Sequence, residues 1–360
     1  MKKIALWVLT LIISFGINAE PKKLLTNKNY LTGIWQGTGW MMKDNKKVDF
    51  FAASKVKYVA EKQIMVDESI GFTVDTIKND TTIIYNPLTV FISDTVSKQI
   101  RAWIFAGELP DVESVVKDSS SNILITTYKY NSTYYKSIDD CSVPNYRTVK
   151  YFTSKDDKNW IQNMEIKYSK SSKFSALPNL TKLDTNMVKI GFVSGNWFGT
   201  GSYNLNGKKN TFTMVEQVEP TNLGFLFKLE GKSMSIEKDT VAKSINSKIL
   251  SNYYGVIFYN PSAKKYYTHY FYSDGRNTVA SIAVNSKDKI LQWEIPQGAN
   301  KLTQKVDYKV KGQRTEQLYY TNPKTNTTEV YMDINMKQSS GVKSNTKSLV
   351  KPMPVPVEDK

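Results

Sequence analysis

A seven-residue signature built on glycine and tryptophan occurs twice in the 360-residue chain and constrains its fold more than any other feature. Gly33-Ile34-Trp35-Gln36-Gly37-Thr38-Gly39 returns 162 positions later as Gly195-Asn196-Trp197-Phe198-Gly199-Thr200-Gly201. Each copy heads a segment of about one domain's length in which apolar and polar residues alternate. Ten short runs of this kind are predicted as strands between Ile34 and Tyr168, and ten more between Asn196 and Met336. Turn residues such as Asn86-Pro87, Asp156-Asp157, Asn206-Gly207 and Asp274-Gly275 separate them. Many short strands without intervening amphipathic helices predict an all-β chain of two antiparallel barrels or sandwiches.

The repeat runs past its opening motif. Tyr151-Phe152 pairs with Tyr319-Tyr320, and Asn163–Lys167 pairs with Tyr331–Asn335, at an offset of 168. A near-constant offset predicts a tandem duplication with small loop changes. The expected organisation is a leader over 1–19, a first barrel over 28–169, a linker over 170–189, a second barrel over 190–337 and a tail over 338–360. Pro352, Pro354 and Pro356 alternate in the tail, which disfavours a strand and predicts disorder. Ser233–Leu250 lacks alternation and predicts a short helix or irregular flap, either a lid or a plain connection.

Lys2, Lys3, the apolar run Ile4–Phe15 and Ile17-Asn18-Ala19 read as an export signal cleaved near Ala19, which predicts a periplasmic or secreted protein. The formal net charge of +16 is spread as single lysines. It predicts a solvated exterior able to meet an anionic envelope surface, with no nucleic acid expected. Cys141 is the only cysteine, so no intrachain disulfide forms. It is either a small half-buried residue or, beside Asp139 and Asp140, a nucleophile.

The signature at the head of about ten strands resembles the calycin group: lipocalins, fatty-acid-binding proteins, nitrobindins and bacterial lipocalin-like proteins. The second half carries the resemblance further, through Tyr254–Pro261, Tyr267, Ser273–Arg276 and Trp293-Glu294. It implies up-and-down barrels in which Gly33, Gly37, Gly39, Gly195, Gly199 and Gly201 allow bending and close backbone crossing, while Trp35 and Trp197 plug the closed end. Lipocalins often set an arginine from a late strand over that Trp, yet Trp160–Lys170 and Thr328–Lys337 contain none. Nitrobindin-like barrels hold haem through a late-strand His, whereas the only His here, His269, lies mid-domain. No cofactor and no metal are therefore expected.

Strand Lys265–Tyr272 places Tyr267, His269 and Phe271 on one face and Tyr266, Thr268, Tyr270 and Tyr272 on the other. If the His face is inward, His269 sits in an aromatic cavity, and Tyr254, Tyr267, His269, Phe271 and Trp293 form the candidate ligand-binding set. The alternative is a satisfied His on the barrel wall. No nucleophile elbow, phosphate loop or triad can be assembled, and a carboxylate pair such as Glu216 with Glu294 is neither supported nor excluded. The expected function is non-catalytic binding of an apolar or amphipathic, lipid-like small molecule in the second barrel. The rival is an envelope interaction protein that uses its basic exterior.

Overall fold

The computed structural model describes residues 25–75, 80–94, 97–106, 109–120, 122–173, 184–205, 207–221, 224–239, 244–297, 300–321 and 325–339. The expected leader, residues 174–183 of the expected linker and nearly all of the expected tail lie outside them. The first half forms β1 (Gly33–Lys43), β2 (Lys46–Val59), β3 (Ile64–Asp75), β4 (Asp80–Tyr85), β5 (Leu88–Asp94), β6 (Gln99–Ala106), β7 (Leu109–Ser120), β8 (Ile123–Tyr130), β9 (Thr133–Asp140), β10 (Tyr146–Ser154) and β11 (Ile161–Ser171). The second forms β12 (Gly195–Leu205), β13 (Lys208–Pro220), β14 (Leu226–Asp239), β15 (Ser244–Asn260), β16 (Lys265–Tyr272), β17 (Asn277–Asn285), β18 (Ile290–Gln297), β19 (Asn300–Asp307), β20 (Gln313–Thr321) and β21 (Thr328–Gln338).

The protein is all-β, with two closed antiparallel barrels of ten strands in tandem. The second is an uninterrupted up-and-down barrel closed by β21 against β12. The first closes through β11 on β1 and β2 on β3. Its strand β4 stands outside the ring: β3 pairs with β5 through Ile64–Glu68 and with β4 through Gly71–Asp75. Tyr85, at the end of β4, packs against Phe50, and its hydroxyl lies 2.8 Å from that of Tyr168. The sequence reading misses β9, because Tyr134, Tyr135 and Lys136 interrupt a simple alternation. Of the expected flap over Ser233–Leu250, residues 240–243 lie outside the described residues and the rest are paired arms of the β14–β15 hairpin, with a bulge between Ser233 and Met234.

Each signature opens the first strand of its barrel, and its middle glycine is the tightest point. A Cβ on Gly37 would lie 1.8 Å from the Lys167 carbonyl oxygen, and one on Gly199 would lie 1.9 Å from that of Asn335. The backbone of the last strand therefore passes where any side chain would stand. Trp35 and Trp197 are buried, and each indole N–H donates to a carbonyl four residues earlier, Leu31 at 2.7 Å and Val193 at 3.0 Å. Those carbonyls belong to short helical segments that underlie each barrel: 3-10 turns over Thr26–Leu31 and Gly191–Val193, the latter preceded by helix α1 (Thr185–Lys189). Part of the expected linker is thus helical, and Met187 is fully buried in the second core.

The two barrels share an apolar wall. Val66, Val90, Trp103 and Phe105, from the outer faces of β3, β5 and β6, form one buried cluster with Tyr254, Val256, Phe258 and Phe271 from β15 and β16. Phe105 meets Phe258 at 5.4 Å between ring centroids, and Trp103 meets Phe271 at 5.1 Å. Ion pairs edge it: Lys228 with Glu68 at 2.6 Å, Lys232 with Glu61 at 2.8 Å and Lys57 with Glu230 at 3.2 Å. Strands here are apolar on both faces, as Ile64-Met65-Val66 and Val256-Ile257-Phe258 show.

Gly199→Ala is expected to cost more than about 4 kcal/mol or to abolish folding, because a backbone oxygen cannot move aside. Gly207→Ala, in a hairpin turn at φ +77° with nothing within 4 Å, is expected to lose only about 1–2 kcal/mol. Urea unfolding of the two variants measures the contrast.

Candidate functional site

Alternation along β16 decides what each residue can do. Thr268, Tyr270 and Tyr272 point into the second barrel and line a cavity of about 120 Å³. Trp293 of β18, Gln304 of β19 and Leu302 line it as well. Pockets for drug-sized ligands span about 300–1,000 Å³, and an engineered cavity near 150 Å³ takes benzene. Ring-sized molecules match this volume; a long acyl chain does not.

A charged cluster stands in the same lining. Arg314 of β20, only 3 % exposed, donates through Nη1 to Glu216 of β13 and pairs through Nη2 with Glu316. Tyr253 donates its hydroxyl to the other Glu216 oxygen, and Gln304 donates to Glu316 Oε2 at 2.6 Å. Burial opposes the charge on Arg314, but Glu216 and Glu316 outweigh it and hold the guanidinium well above its ordinary pKa. Burial raises the Glu316 carboxyl above its usual range, partly offset by Arg314. The guanidinium also lies 5.6 Å from the Trp197 ring centroid. Searching the last strand for an arginine over this Trp fails because the residue comes from the strand before it.

The first barrel repeats the arginine with different partners. Arg147 stands 167 positions before Arg314, and its neighbour in register, Tyr168, corresponds to Met336. It donates to Ser54 at 2.8 Å, Asp67 at 2.7 Å and Asp139 at 2.6 Å. Ser54 faces Trp35 in register as Glu216 faces Trp197, so the carboxylate missing there is supplied by Asp67 on β3. Over Trp35 the cation is Lys170, at 5.3 Å.

Of the predicted ligand set, only Trp293 lines the cavity. Tyr254, Tyr267, His269 and Phe271 lie on the outer face of β15 and β16, against the first barrel, so the premise of an inward His face is not met. His269 is 1 % exposed, 2.9 Å from Asp111 of β7 through Nδ1 and 3.1 Å from Asn277 through Nε2. Trp103 and Phe105 surround its ring, which stacks on Phe271 at 4.1 Å. It is a satisfied histidine joining the barrels. Glu294 is exposed, whereas Glu216 is buried, so the two do not face one another as a carboxylate pair. Arg314 and Glu316, which sequence reasoning missed, did carry a signal: like Glu216, they fall in phase with inward Met214, Val218 and Leu318.

Four polar atoms in the cavity lining have no hydrogen-bond partner among the described residues: Thr268 Oγ1, Trp293 Nε1, Arg314 Nε and Glu316 Oε1, the last engaged by its ion pair with Arg314 Nη2. Thr268 is completely buried and Trp293 is 5 % exposed. Buried groups of this kind normally find a protein, solvent or ligand partner, so this lining offers hydrogen-bonding capacity to whatever enters the cavity. Among the described residues, no group of three or more His, Cys, Asp or Glu side chains is placed to hold a metal ion.

No protein-family model matches the chain, and no curated protein matches it in sequence. Among solved structures, it resembles a protein of unknown function from the DUF3598 family of Nostoc punctiforme at 10 % identity. That alignment covers 86 % of this chain and 97 % of the other, with a TM-score of 0.26. Intact Ap-TbpB, with its N and C lobes, aligns at 8 % identity over 85 % of this chain and 76 % of the other, with a TM-score of 0.17. Both superpositions are too loose to carry any argument about function.

Two measurements test the electrostatics. The folded state keeps the Glu316 proton to higher pH than the unfolded chain does, so this group favours folding below an unfolded pKa near 4.3 and loses that contribution as pH rises through its folded value. Glu316→Gln should therefore gain stability relative to the parent as pH rises above the ordinary carboxylate range in urea titrations. The opposite slope would mean that attraction to Arg314 outweighs burial. Burial, then Asp139, pushes the buried Cys141 thiol up to about 12. A disulfide-exchange reagent at about pH 8 should accordingly label it only after unfolding.

Proposed function

We propose that the chain is an exported, calycin-like binding protein whose second barrel holds a ring-sized small molecule without transforming it. The polar lining of the second cavity carries this reading: Thr268 and Trp293 present polar atoms that the protein leaves unpartnered. The calycin resemblance draws support from the Gly-Trp signature at each first strand and from Arg314 over Trp197. Binding is favoured over catalysis because the cavity's carboxylates are engaged by Arg314, Tyr253 and Gln304. Volume favours a ligand near the size of benzene over the lipid-like one expected from the sequence.

Xenon pressurisation of crystals of the native protein tests the reading. Xenon should occupy the space beside Trp293 and Leu302 wherever no molecule retained from purification already fills it. A second barrel that holds no retained molecule and admits no xenon would contradict the reading.

A further inference from the structure

Glu316 Oε1 is engaged by its ion pair with Arg314, and the other three unpartnered atoms share a chemical sense. An indole N–H and a guanidinium N–H can only donate, and a threonine hydroxyl can donate as well. Trp293, Arg314 and Thr268 therefore present the cavity with donors in search of an acceptor. We propose that the second barrel selects an uncharged, ring-sized molecule carrying a hydrogen-bond acceptor, such as a ketone, ester, amide or ether oxygen. This assignment rests on the cavity-binding reading above and specifies its ligand.

Charge excludes the alternatives. An anion would need positive charge to spare, but the one guanidinium in the lining is matched by Glu216 and Glu316. A cation would need a free carboxylate oxygen. Glu216 is engaged by Arg314 and Tyr253, and Glu316 by Arg314 and Gln304. With the cluster's charges engaged by one another and by Tyr253 and Gln304, a charged ligand would pay its desolvation cost without compensation.

Shape agrees with charge. Thr268 on β16 and Trp293 on β18 flank β17, whose inward residue opposite Thr268 is the small Ala280. The ring of a ligand can therefore lie against Leu302 and Tyr270 while its oxygen reaches a donor. An acceptor-free ring of equal size would fill the space and leave the donors of Thr268 and Trp293 unpaired.

Four probes of similar size separate the possibilities: acetophenone, ethylbenzene, benzoate and benzylamine, titrated at neutral pH into protein labelled with ¹⁵N-tryptophan. Acetophenone should bind about tenfold tighter than each of the others, the worth of one hydrogen bond to a buried donor, and should shift the Trp293 indole resonance. Trp293→Phe and Thr268→Val together should erase the preference for acetophenone over ethylbenzene while preserving binding of both. Equal affinity for acetophenone and ethylbenzene, or tightest binding of benzoate or benzylamine, overturns the proposal. If xenon enters the barrel but no probe binds, the acceptor proposal falls and the cavity reading stands; if xenon is also excluded from a barrel that holds no retained molecule, both fall.

Discussion

One arginine buried inside each barrel sets the terms for everything around it. A guanidinium removed from water must find carboxylates, and breaking such a pair typically costs about 3–5 kcal/mol. Arg314 draws Glu216 across from β13 and Glu316 from its own strand, so strands at either side of the closure are held through one side chain. Arg147 does the same with Asp67 of β3 and Asp139 of β9. The two halves keep the arginine and change the source of its counter-charges. Two acids near one base is thus the shared physical condition, and the strand that supplies each acid is free to differ.

The second constraint is the wall between the barrels. Strand β16 sends Thr268 and Tyr270 to the cavity and His269 and Phe271 to the first barrel. One strand therefore serves both a ligand-sized space and a packed interface. Trp103 and Phe105 back it from outside, and Asp111 fixes His269 by hydrogen bonding. This arrangement gives the first barrel a part in the second's cavity without lending it a lining residue: it stiffens the wall from behind.

Much of the architecture was legible in the residues. The duplicated Gly-Trp signature located both first strands, because Gly37 and Gly199 stand where a neighbouring backbone leaves no room for Cβ. The site was harder to read. Alternation on β16 separated two faces correctly but could not say which was inward, since both are aromatic and both are buried. The sharper clue was Tyr253–Tyr259, apolar on both faces, as a strand between a core and a second domain must be. Arg314 and Glu316 went unread for a related reason. Charged residues in a strand are ordinarily assigned to solvent, and only their phase with Leu318 places them inside.

The most direct measurement is a high-resolution crystal structure of the protein purified without unfolding, with the density between Thr268 and Trp293 as the object of interest. Ordered non-protein density is expected there, accepting hydrogen bonds from Trp293 Nε1 and Thr268 Oγ1. Tyr270 and Tyr272 folded inward to fill the space, with both donors satisfied by protein atoms, would contradict it.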